Sequence, residues 1–418
     1  MGAAAFPREL DIPEEVLAIA RALDAAGHEV WCVGGVVRDS LLSARGAAAP
    51  PEYAAIDFAT SATPEEVQRL FRRTVDIGIA HGTVGVLDRN RVLHEVTTFR
   101  RDVATDGRHA VVAYGATLEE DLARRDFTVN AIAYHPLRHE WRDPFRGADD
   151  LEAGVIRAVG VPAQRFREDY LRILRAIRFA ARFGFRIEAA TWAAARESAA
   201  GLAVLSAERV RDELFKSLRT ARSIPELVSL WSEVGAVTRW IPELASAASG
   251  GRRYAAEEAN RFPRDPVLLL VLLCDAPAPA LRRLRASNAE IARAEALAAG
   301  PPAPAGPSPE AVRRWLAALG ERARDVATLW QRAEDLASLW RLRHGTSARW
   351  ADTAAGIRAR GDAVLRGQLA LDGSDLERLG VPRGPRIGEI LGRLLDRVLA
   401  DPALNTRDHL AALARELA

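Results

Sequence analysis

Hydrophobic and polar positions follow two different periods along the chain, and the period changes near residue 162. Before it, short apolar runs such as 30–33 and 92–99 are separated by polar turns, which is typical of β-strands. After it, apolar residues recur every three or four positions, as in 165–183, which is typical of amphipathic helices. The sequence therefore predicts an α+β protein: a head with a mixed sheet, followed by an elongated all-helical remainder.

Local signals in the head place several elements. Thr63 precedes Pro64 and Glu66, a capping box that predicts a helix beginning at residue 64 and ending near Arg73. After it come the segments 74–79, 81–87 and 92–99, of which the last two are rich in β-forming residues. Because only four polar residues separate the last two segments, we predict that they form a hairpin.

Composition is that of an ordinary globular protein, with 418 residues, 49% hydrophobic and 27% charged, enough for two to four domains. The longest apolar run, 267–273, is far shorter than the ~20 residues that span a bilayer. No signal peptide is recognisable in residues 1–20. The two cysteines, Cys32 and Cys274, lie far apart and favour a reduced, cytoplasmic setting. We therefore expect no membrane partner.

The basic residues are almost all arginines, since Lys216 is the only lysine, although the net charge is only +2. Arginine makes bidentate phosphate contacts and stacks on bases, which suits a nucleotide or RNA ligand. A genome that favours arginine codons explains the same bias equally well.

The segment 33–60 carries the first candidate chemistry. Gly34 and Gly35 follow an apolar run, and a backbone without Cβ atoms can close on a phosphate that Arg38 could hold. Asp57 lies in a strand-like segment, and carboxylates on alternate strand positions can bind Mg²⁺ against a nucleotide. Taken singly, a glycine pair is more often an ordinary turn and a strand aspartate a surface residue.

Together these motifs resemble the polymerase-beta-like nucleotidyltransferases, in particular the class II tRNA nucleotidyltransferases (CCA-adding enzymes) and bacterial poly(A) polymerases. That family shows Gly-Gly-x-x-Arg-Asp and then Asp-x-Asp on a strand, matched here by 34–39 and by Ala55 and Asp57. The resemblance implies that Gly34, Gly35 and Arg38 bind the nucleotide. It also implies that Asp57 is catalytic and binds Mg²⁺.

Ala55 departs from the family, because it stands where the first aspartate is expected. Glu52 is five residues from Asp57, so strand alternation points it to the opposite face, and Tyr53 cannot bind Mg²⁺. Two-metal catalysis needs oxygen ligands that bridge both ions. We therefore predict weak or absent nucleotide transfer, caused either by a deliberate substitution or by natural variation that relies on Asp57 and another acid.

Glu95 is the candidate for that further acid. It lies in the second arm of the predicted hairpin, in a stretch that resembles the family's strand beside the metal site. A cross-strand ion pair is the alternative. The sequence alone does not decide between these two roles of Glu95.

The run 122–131 is the second strong match, because it reproduces the family's Arg-Arg-Asp-Phe-Thr-x-Asn-Ala. The resemblance implies that Arg125, Asp126 and Asn130 contact the sugar and triphosphate. Upstream, 100–115 is polar and poorly periodic. In the family it is a flexible loop that helps the site change from CTP to ATP, which implies use of ATP here. An ordinary surface loop is the alternative.

The stretch 168–172 matches the family's Glu-Asp-x-x-Arg motif. On a helix Asp169 and Arg172 share one face, and alone they would form a weak surface ion pair. The resemblance implies that they pair with cytosine or adenine in place of a template, and Arg175 is placed in the nucleotide-binding set with them. Buried groups left unpaired would reject a wrong base. Arg209, in a further family motif, is expected to brace this helix by packing or by a salt bridge, and contact with the nucleotide is the alternative.

The C-terminal part carries weaker signals. A Gly-Pro pair at 384–385 predicts a helix start, within a stretch similar to the family's tail, which grips the tRNA elbow. An interhelical turn is the alternative. We predict a head (1–155), neck (156–225), body (226–355) and tail (356–418), and CCA addition to the tRNA 3′ end from CTP and ATP. An A-adding enzyme, a poly(A) polymerase and an inactive RNA-binding protein remain alternatives, and the oligomeric state is left open.

Overall fold

The computed structural model describes residues 6–46, 55–105, 110–245, 259–261, 263–274, 276–298, 304, 306–320, 326–344 and 349–417. The chain divides into two compact units, 1–245 and 246–418. The four-part division predicted from the sequence stays a prediction.

The first unit contains the strands. Those described are β1 (Val30–Val33), β2 (Asp57–Thr60), β3 (Thr74–Gly78), β4 (Thr83–Leu87), β5 (Leu93–Thr98), β6 (Arg100–Thr105), β7 (Ala110–Tyr114), β8 (Ala133–His135), β9 (Glu140–Arg142), β10 (Val155–Ile156) and β11 (Arg186–Ile187). Seven of them form one mixed sheet in the order β3-β4-β5-β2-β1-β8-β9. The pairs β6-β7 and β10-β11 form two small separate sheets.

The first unit also contains helices, some packed against the sheet and others against one another. They are α1 (Glu14–Ala25), α2 (Gly35–Ala44), α3 (Pro64–Leu70), α4 (Leu118–Ala123), α5 (Gly147–Ala153), α6 (Pro162–Glu168), α7 (Leu171–Phe183), α8 (Ala189–Glu197), α9 (Ala207–Thr220), α10 (Ile224–Glu233), α11 (Ala236–Trp240) and α12 (Pro242–Ala245). The predicted α+β class with a mixed sheet is confirmed.

The centre of the sheet is buried on both faces. Along β1, Val30 and Cys32 contribute to one hydrophobic cluster while Trp31 and Val33 contribute to another. Successive side chains of a strand point to opposite faces, so an unbroken apolar run is what a doubly covered strand requires. This explains why the first apolar run becomes a central strand, with β2 beside it.

Most elements predicted in the head are present. The Thr63–Glu66 capping box forms and α3 begins at Pro64, and β4 and β5 pair as the predicted antiparallel hairpin. The helix ends at Leu70 and not near Arg73, because Phe71 is already extended and the chain must enter the edge strand β3.

The segment 100–115 was predicted to be irregular, and the structure differs. Arg100–Thr105 and Ala110–Tyr114 pair as an antiparallel hairpin, while 106–109 lies outside the described residues. The first strand is mostly polar, which concealed it, but 110–114 reads Ala-Val-Val-Ala-Tyr, a strand signal that the sequence interpretation overlooked.

The predicted helix 165–183 is interrupted at the Glu-Asp-x-x-Arg motif. Helix α6 ends at Glu168, Asp169 has an extended backbone (φ −155°, ψ 106°), and α7 begins at Leu171. The Asp169 carboxylate accepts the Leu171 N–H (3.1 Å) and so satisfies an amide at the start of α7. The expectation that Asp169 and Arg172 project from one continuous helix is therefore wrong.

The second unit is helical throughout its described residues. Its helices are α13 (Pro266–Leu273), α14 (Pro277–Arg283), α15 (Asn288–Ala298), α16 (Pro309–Gly320), α17 (Val326–His344), α18 (Arg349–Arg360), α19 (Gly373–Arg378), α20 (Pro385–Ala400) and α21 (Arg407–Leu417). Helix α20 starts at the predicted Gly384-Pro385 pair. Among the described residues, no helix has both the length and the apolar character needed to cross a bilayer.

Candidate active site

A cleft of about 470 Å³ in the first unit gathers the residues that the sequence motifs singled out. Arg38, Asp57 and the Asp169–Arg172 motif, which are far apart in sequence, all line it, as the sequence predicted. Its lining residues are Gly34, Gly35, Arg38, Asp57, Arg124, Arg125, Asp126, Asn130, Asp169, Leu171, Arg172, Arg175, Arg178, Phe179, Arg182 and Arg209. Eight arginines and three aspartates in one cleft suit a polyanionic ligand.

Gly34 forms the turn between β1 and α2 and lies against Asp57. Its φ is +76°, and a Cβ at this position would be 2.9 Å from Asp57 Oδ2 and 3.8 Å from the Arg125 Nη1. Gly35 begins α2, so the positive end of that helix dipole lies at the cleft. The chain therefore needs glycine at 34 both for its backbone conformation and for the position of the carboxylate.

Replacing Gly34 by alanine is expected to destabilise the protein by roughly 1–3 kcal/mol, because this backbone region strains any residue with a Cβ. The variant should also lose nucleotide affinity, since its Cβ would displace the Asp57 carboxylate. Urea unfolding and CTP titration measure the two effects.

Gly160→Ala is the matched control. Gly160 also has a positive φ (+68°), but no atom lies within 4 Å of its Cβ position. It should lose stability and keep nucleotide affinity. Equal loss of affinity in both variants would contradict a specific role for Gly34 beside Asp57.

Asp57 and Glu95 form an adjacent pair of carboxylates. They are directly opposite each other in the parallel pairing of β2 and β5, so their side chains share one face of the sheet. Asp57 is exposed to solvent in the cleft, but the surrounding protein atoms keep much of the water away from its carboxylate. This partial desolvation and the charge of Glu95 raise the pKa of Asp57 to about 6, although the charges of Arg125 and Arg38 act in the opposite direction.

Glu95 has no basic residue opposite it in the sheet, so the cross-strand ion pair considered for it does not form there. Glu95 faces Asp57 in β2 and Gly85 in β4, and neither is basic. The geometry therefore favours the other alternative, an acid beside Asp57.

Position 55 lies just before this pair. Ala55 is exposed, Ile56 is buried and Asp57 is exposed again, so alternation places residues 55 and 57 on the same side. Glu52 and Tyr53 lie outside the described residues. No group of three or more histidine, cysteine, aspartate or glutamate side chains that could hold a metal ion occurs in the described part of the chain.

The carboxylates of Asp57 and Glu95 still fit an Mg²⁺ site in which the protein supplies only some of the ligands. Asp57 lines the cleft, and Glu95, which is exposed but does not line it, lies beside Asp57 on the same face of the sheet. A cation bound between the two carboxylates would relieve their mutual repulsion. Mg²⁺ commonly takes one or two protein carboxylates and completes its shell with substrate phosphates. A fully protein-built metal cage is not required.

Asp126 is the centre of a buried polar network in the wall of the cleft. Its Oδ1 accepts hydrogen bonds from the Phe127 N–H (2.8 Å) and the Asn130 side chain (2.9 Å), and its Oδ2 accepts one from Arg175 Nε (2.8 Å). Burial alone would raise its pKa, but the Arg175 charge and these hydrogen bonds lower the pKa of Asp126 to about 2. Asp126 is therefore held as a carboxylate.

Arg38 extends the network to α2. Its Nη1 donates to Asn130 Oδ1 (2.6 Å) and its Nε to Asp39 Oδ1 (2.8 Å), while the guanidinium stacks over Phe179 and Phe183. The sequence predicted that Arg38 holds a phosphate. In the structure its guanidinium already has protein partners, so it shapes the cleft wall whatever else it contacts.

The sequence interpretation missed four members of this network, which form two ion pairs. Asp39 accepts from Arg182 (3.0 Å), and Glu213 accepts from Arg178 (2.6 Å). The signal for Asp39 was its place in the glycine motif, and that for Glu213 was the motif that also contains Arg209. Charges on helices usually read as surface residues, which concealed them.

Asp169 and Arg172 both line the cleft but are braced separately. Asp169 Oδ2 accepts from Arg209 Nη2 (2.7 Å), which confirms the expected salt bridge of Arg209. Arg172 donates to Glu168 Oε2 (2.7 Å) and to the Arg124 carbonyl (3.0 Å). Each side chain is thus fixed by its own partners and presented to the same space.

Comparison with known proteins agrees with this geometry. Residues 30–157 match the family model "Poly A polymerase head domain", and 184–247 match "Probable RNA and SrmB- binding site of polymerase A". The CCA-adding enzyme of Geobacillus kaustophilus is 34% identical over 410 residues, 96% of each chain. That of Lactiplantibacillus plantarum is 41% identical over 247 residues, 59% of this chain and 58% of the relative.

Several such alignments are partial, since this chain spans about half the length of some curated relatives, as with that of Streptococcus gordonii (50% of its length). Among solved structures, the Bacillus stearothermophilus CCA-adding enzyme in complex with CTP superposes with a TM-score of 0.74 at 30% identity, covering 96% of both chains. The chain therefore belongs to the family of the CCA-adding enzymes, as its motifs predicted.

Proposed function

We propose that this chain adds C and A to the 3′ end of tRNA from CTP and ATP without a nucleic-acid template. The observation that carries the proposal is the single cleft, in which the glycine turn, Asp57 and the Asp169–Arg172 motif meet. Support comes from full-length similarity to the Geobacillus kaustophilus enzyme and from the fold shared with the enzyme bound to CTP.

The triphosphate would lie against the glycine turn. Backbone N–H groups at the start of α2 and the Arg125 guanidinium, held by Asp121 (3.1 Å), supply positive potential beside Asp57. The primer 3′ hydroxyl then loses its proton to solvent and attacks the α-phosphate, the bond between the α- and β-phosphates breaks, and pyrophosphate leaves. These groups keep the triphosphate aligned during the step. Positioning and charge stabilisation are the main protein contributions to phosphoryl-type transfer.

Asp57, with Glu95 beside it, would hold Mg²⁺. Bound Mg²⁺ supplies charge neutralisation on the triphosphate and lowers the pKa of the primer hydroxyl. Because alanine occupies position 55, the acidic set is one short of the family pattern, and we infer reduced transfer.

Base selection is assigned to Asp169 and Arg172. A carboxylate acceptor and a guanidinium donor, each fixed by a separate protein partner, form an edge that can pair with cytosine or adenine. A base that leaves these groups unpaired is penalised more strongly than any apolar pocket could achieve. Use of both CTP and ATP would involve the β6–β7 hairpin.

Ala55 favours one second candidate, an RNA-binding protein without transfer activity. The extension test separates it from the enzymes. The chain and its Ala55→Asp variant are incubated with three tRNA substrates: one that lacks the whole CCA end, one that ends after the first C, and one that lacks only the terminal A. Each is tested with CTP or ATP alone and Mg²⁺.

A CCA-adding enzyme extends the first two substrates with CTP and the third with ATP. Extension of the third substrate alone indicates an A-adding enzyme, and long ATP products indicate a poly(A) polymerase. Binding of tRNA without extension in either form would replace the proposal by the RNA-binding alternative. A cytoplasmic location stays a prediction from the sequence.

A further inference from the structure

His94 lies behind the strand that carries Asp57, and the mechanism above gives it no role. It belongs to β5, is 1% exposed and stands edge-on to Phe58, with 6.4 Å between ring centroids. Its neighbour Glu95 lies on the opposite face of the sheet, beside Asp57. The imidazole is therefore in the core, while the two carboxylates lie on the other face of the sheet, where Asp57 lines the cleft.

The His94 ring supplies the hydrogen-bond acceptor that a main-chain carbonyl usually supplies in a sheet. Its Nδ1 accepts a hydrogen bond from the buried Ile56 N–H, with a donor–acceptor distance of 3.1 Å. The pairing of β2 with β5 begins only at Asp57, so Ile56 is where the backbone ladder stops. A buried N–H without an acceptor is strongly unfavourable. The imidazole thus fixes the backbone directly between residues 55 and 57.

Asp88 stands at the other side of the ring. His94 Nε2 is 3.5 Å from Asp88 Oδ2, and Asp88 Oδ1 accepts the Val92 N–H (2.8 Å) in the turn between β4 and β5. Because Ile56 donates to Nδ1, that nitrogen carries the lone pair and the ring proton lies on Nε2, towards the carboxylate. A continuous path of contacts links the hairpin turn to the first residues of β2.

We infer that His94 is a positioning residue for Asp57 and acts through the Ile56 N–H. The inference rests on the proposed function, since it concerns the carboxylate assigned to metal-dependent transfer. Asp57 has little freedom, because its Oδ2 is so close to Gly34 that a Cβ there would be only 2.9 Å away. A shift of the preceding peptide would therefore move the carboxylate out of register with the glycine turn.

Three variants separate the hydrogen bond from the bulk of the ring. His94→Asn places an acceptor where Nδ1 stands, His94→Leu removes the acceptor and keeps apolar volume, and His94→Gln carries its acceptor one bond further out. His135→Leu is the matched control. His135 is also fully buried, and its Nδ1 accepts the N–H groups of Leu137 (3.3 Å) and Arg138 (3.2 Å), but it does not line the cleft.

Steady-state extension with CTP is measured for each variant with Ala55 and with Ala55→Asp. His94→Leu is expected to lower kcat by roughly 10- to 100-fold while KM for CTP changes less than about threefold, because misplacing a reacting group by ~1 Å can cost about 100-fold. His94→Asn and His135→Leu should stay within about threefold of their parent. If His94→Leu does not fold by circular dichroism, His94→Gln takes its place.

Equal losses in His94→Leu and His94→Asn would overturn the inference, because the ring's shape and not its acceptor would matter. A loss in His94→Leu no greater than that in His135→Leu would overturn it as well.

Failure of the proposed function is distinguishable from failure of this inference. If the parents with Ala55 and with Ala55→Asp both fail to extend tRNA, hydrogen exchange of the Ile56 amide decides. Exchange at least about tenfold faster in His94→Leu, and slow in His94→Asn, supports the positioning contact. Unchanged exchange in His94→Leu overturns it.

Discussion

Replacing Ala55 by aspartate is expected to raise Mg²⁺-dependent extension of tRNA by about 100-fold or more. A bound divalent ion would contribute several kcal/mol of charge stabilisation in the transition state, and a further carboxylate at position 55 would help to hold that ion. Each ~1.4 kcal/mol is tenfold in rate. Ala55 and Asp57 are both exposed and flank the buried Ile56, so a carboxylate at position 55 would lie close to Asp57 and to Glu95 beside it.

Ala55→Asn is the matched control, because it has the size of aspartate without its charge. It should leave the rate near that of the parent, and the gain in Ala55→Asp should vanish when Mg²⁺ is removed. Equal rates in the parent and in Ala55→Asp would show that Asp57 and its neighbours need no further ligand.

Replacing Asp126 by asparagine is expected to cost about 3 kcal/mol of unfolding free energy. Removing one member of a buried ion pair leaves the other charge uncompensated, at a typical cost of ~3–5 kcal/mol. The effect should lie at the lower end, since Glu213 stands 3.8 Å from Arg175 and compensates part of the charge. Urea unfolding at neutral pH measures it.

The same variant should change the acid sensitivity of the protein. The pKa of Asp126 is lowered from 3.8 to about 2, so its contribution to stability is full above about pH 4 and is lost as the pH falls towards 2. Asp126→Asn should lack this part of the acid-induced loss. Glu14→Gln, which removes an exposed partner of Arg21 in the same unit, should leave stability nearly unchanged. Equal effects of the two substitutions would contradict the buried network.

The sequence predicted much of the site because its motifs contain short-range information. The glycine turn, the Thr63 capping box and the β4–β5 hairpin each depend on residues within a few positions of one another, and all three form. The convergence of Asp57 with Asp169 and Arg172 followed from family resemblance, since no local pattern brings them together.

The features that were missed depend on contacts between distant segments. The apolar stripe continues through 165–183, so periodicity alone could not show the break at Asp169, which a salt bridge to Arg209 accompanies. The burial of Arg38 depends on Asn130 and on two phenylalanines of α7. His94 looked like one strand residue among others until its bond to Ile56 was visible.

A crystal structure of the chain with CTP tests the central claim most directly, namely that one cleft holds one nucleotide between the glycine turn and the Asp169–Arg172 motif. The account predicts the triphosphate against Gly35 and Arg125, and the cytosine edge within hydrogen-bond distance of Asp169 and Arg172. CTP bound elsewhere, or bound here with its base turned away from both side chains, would contradict it.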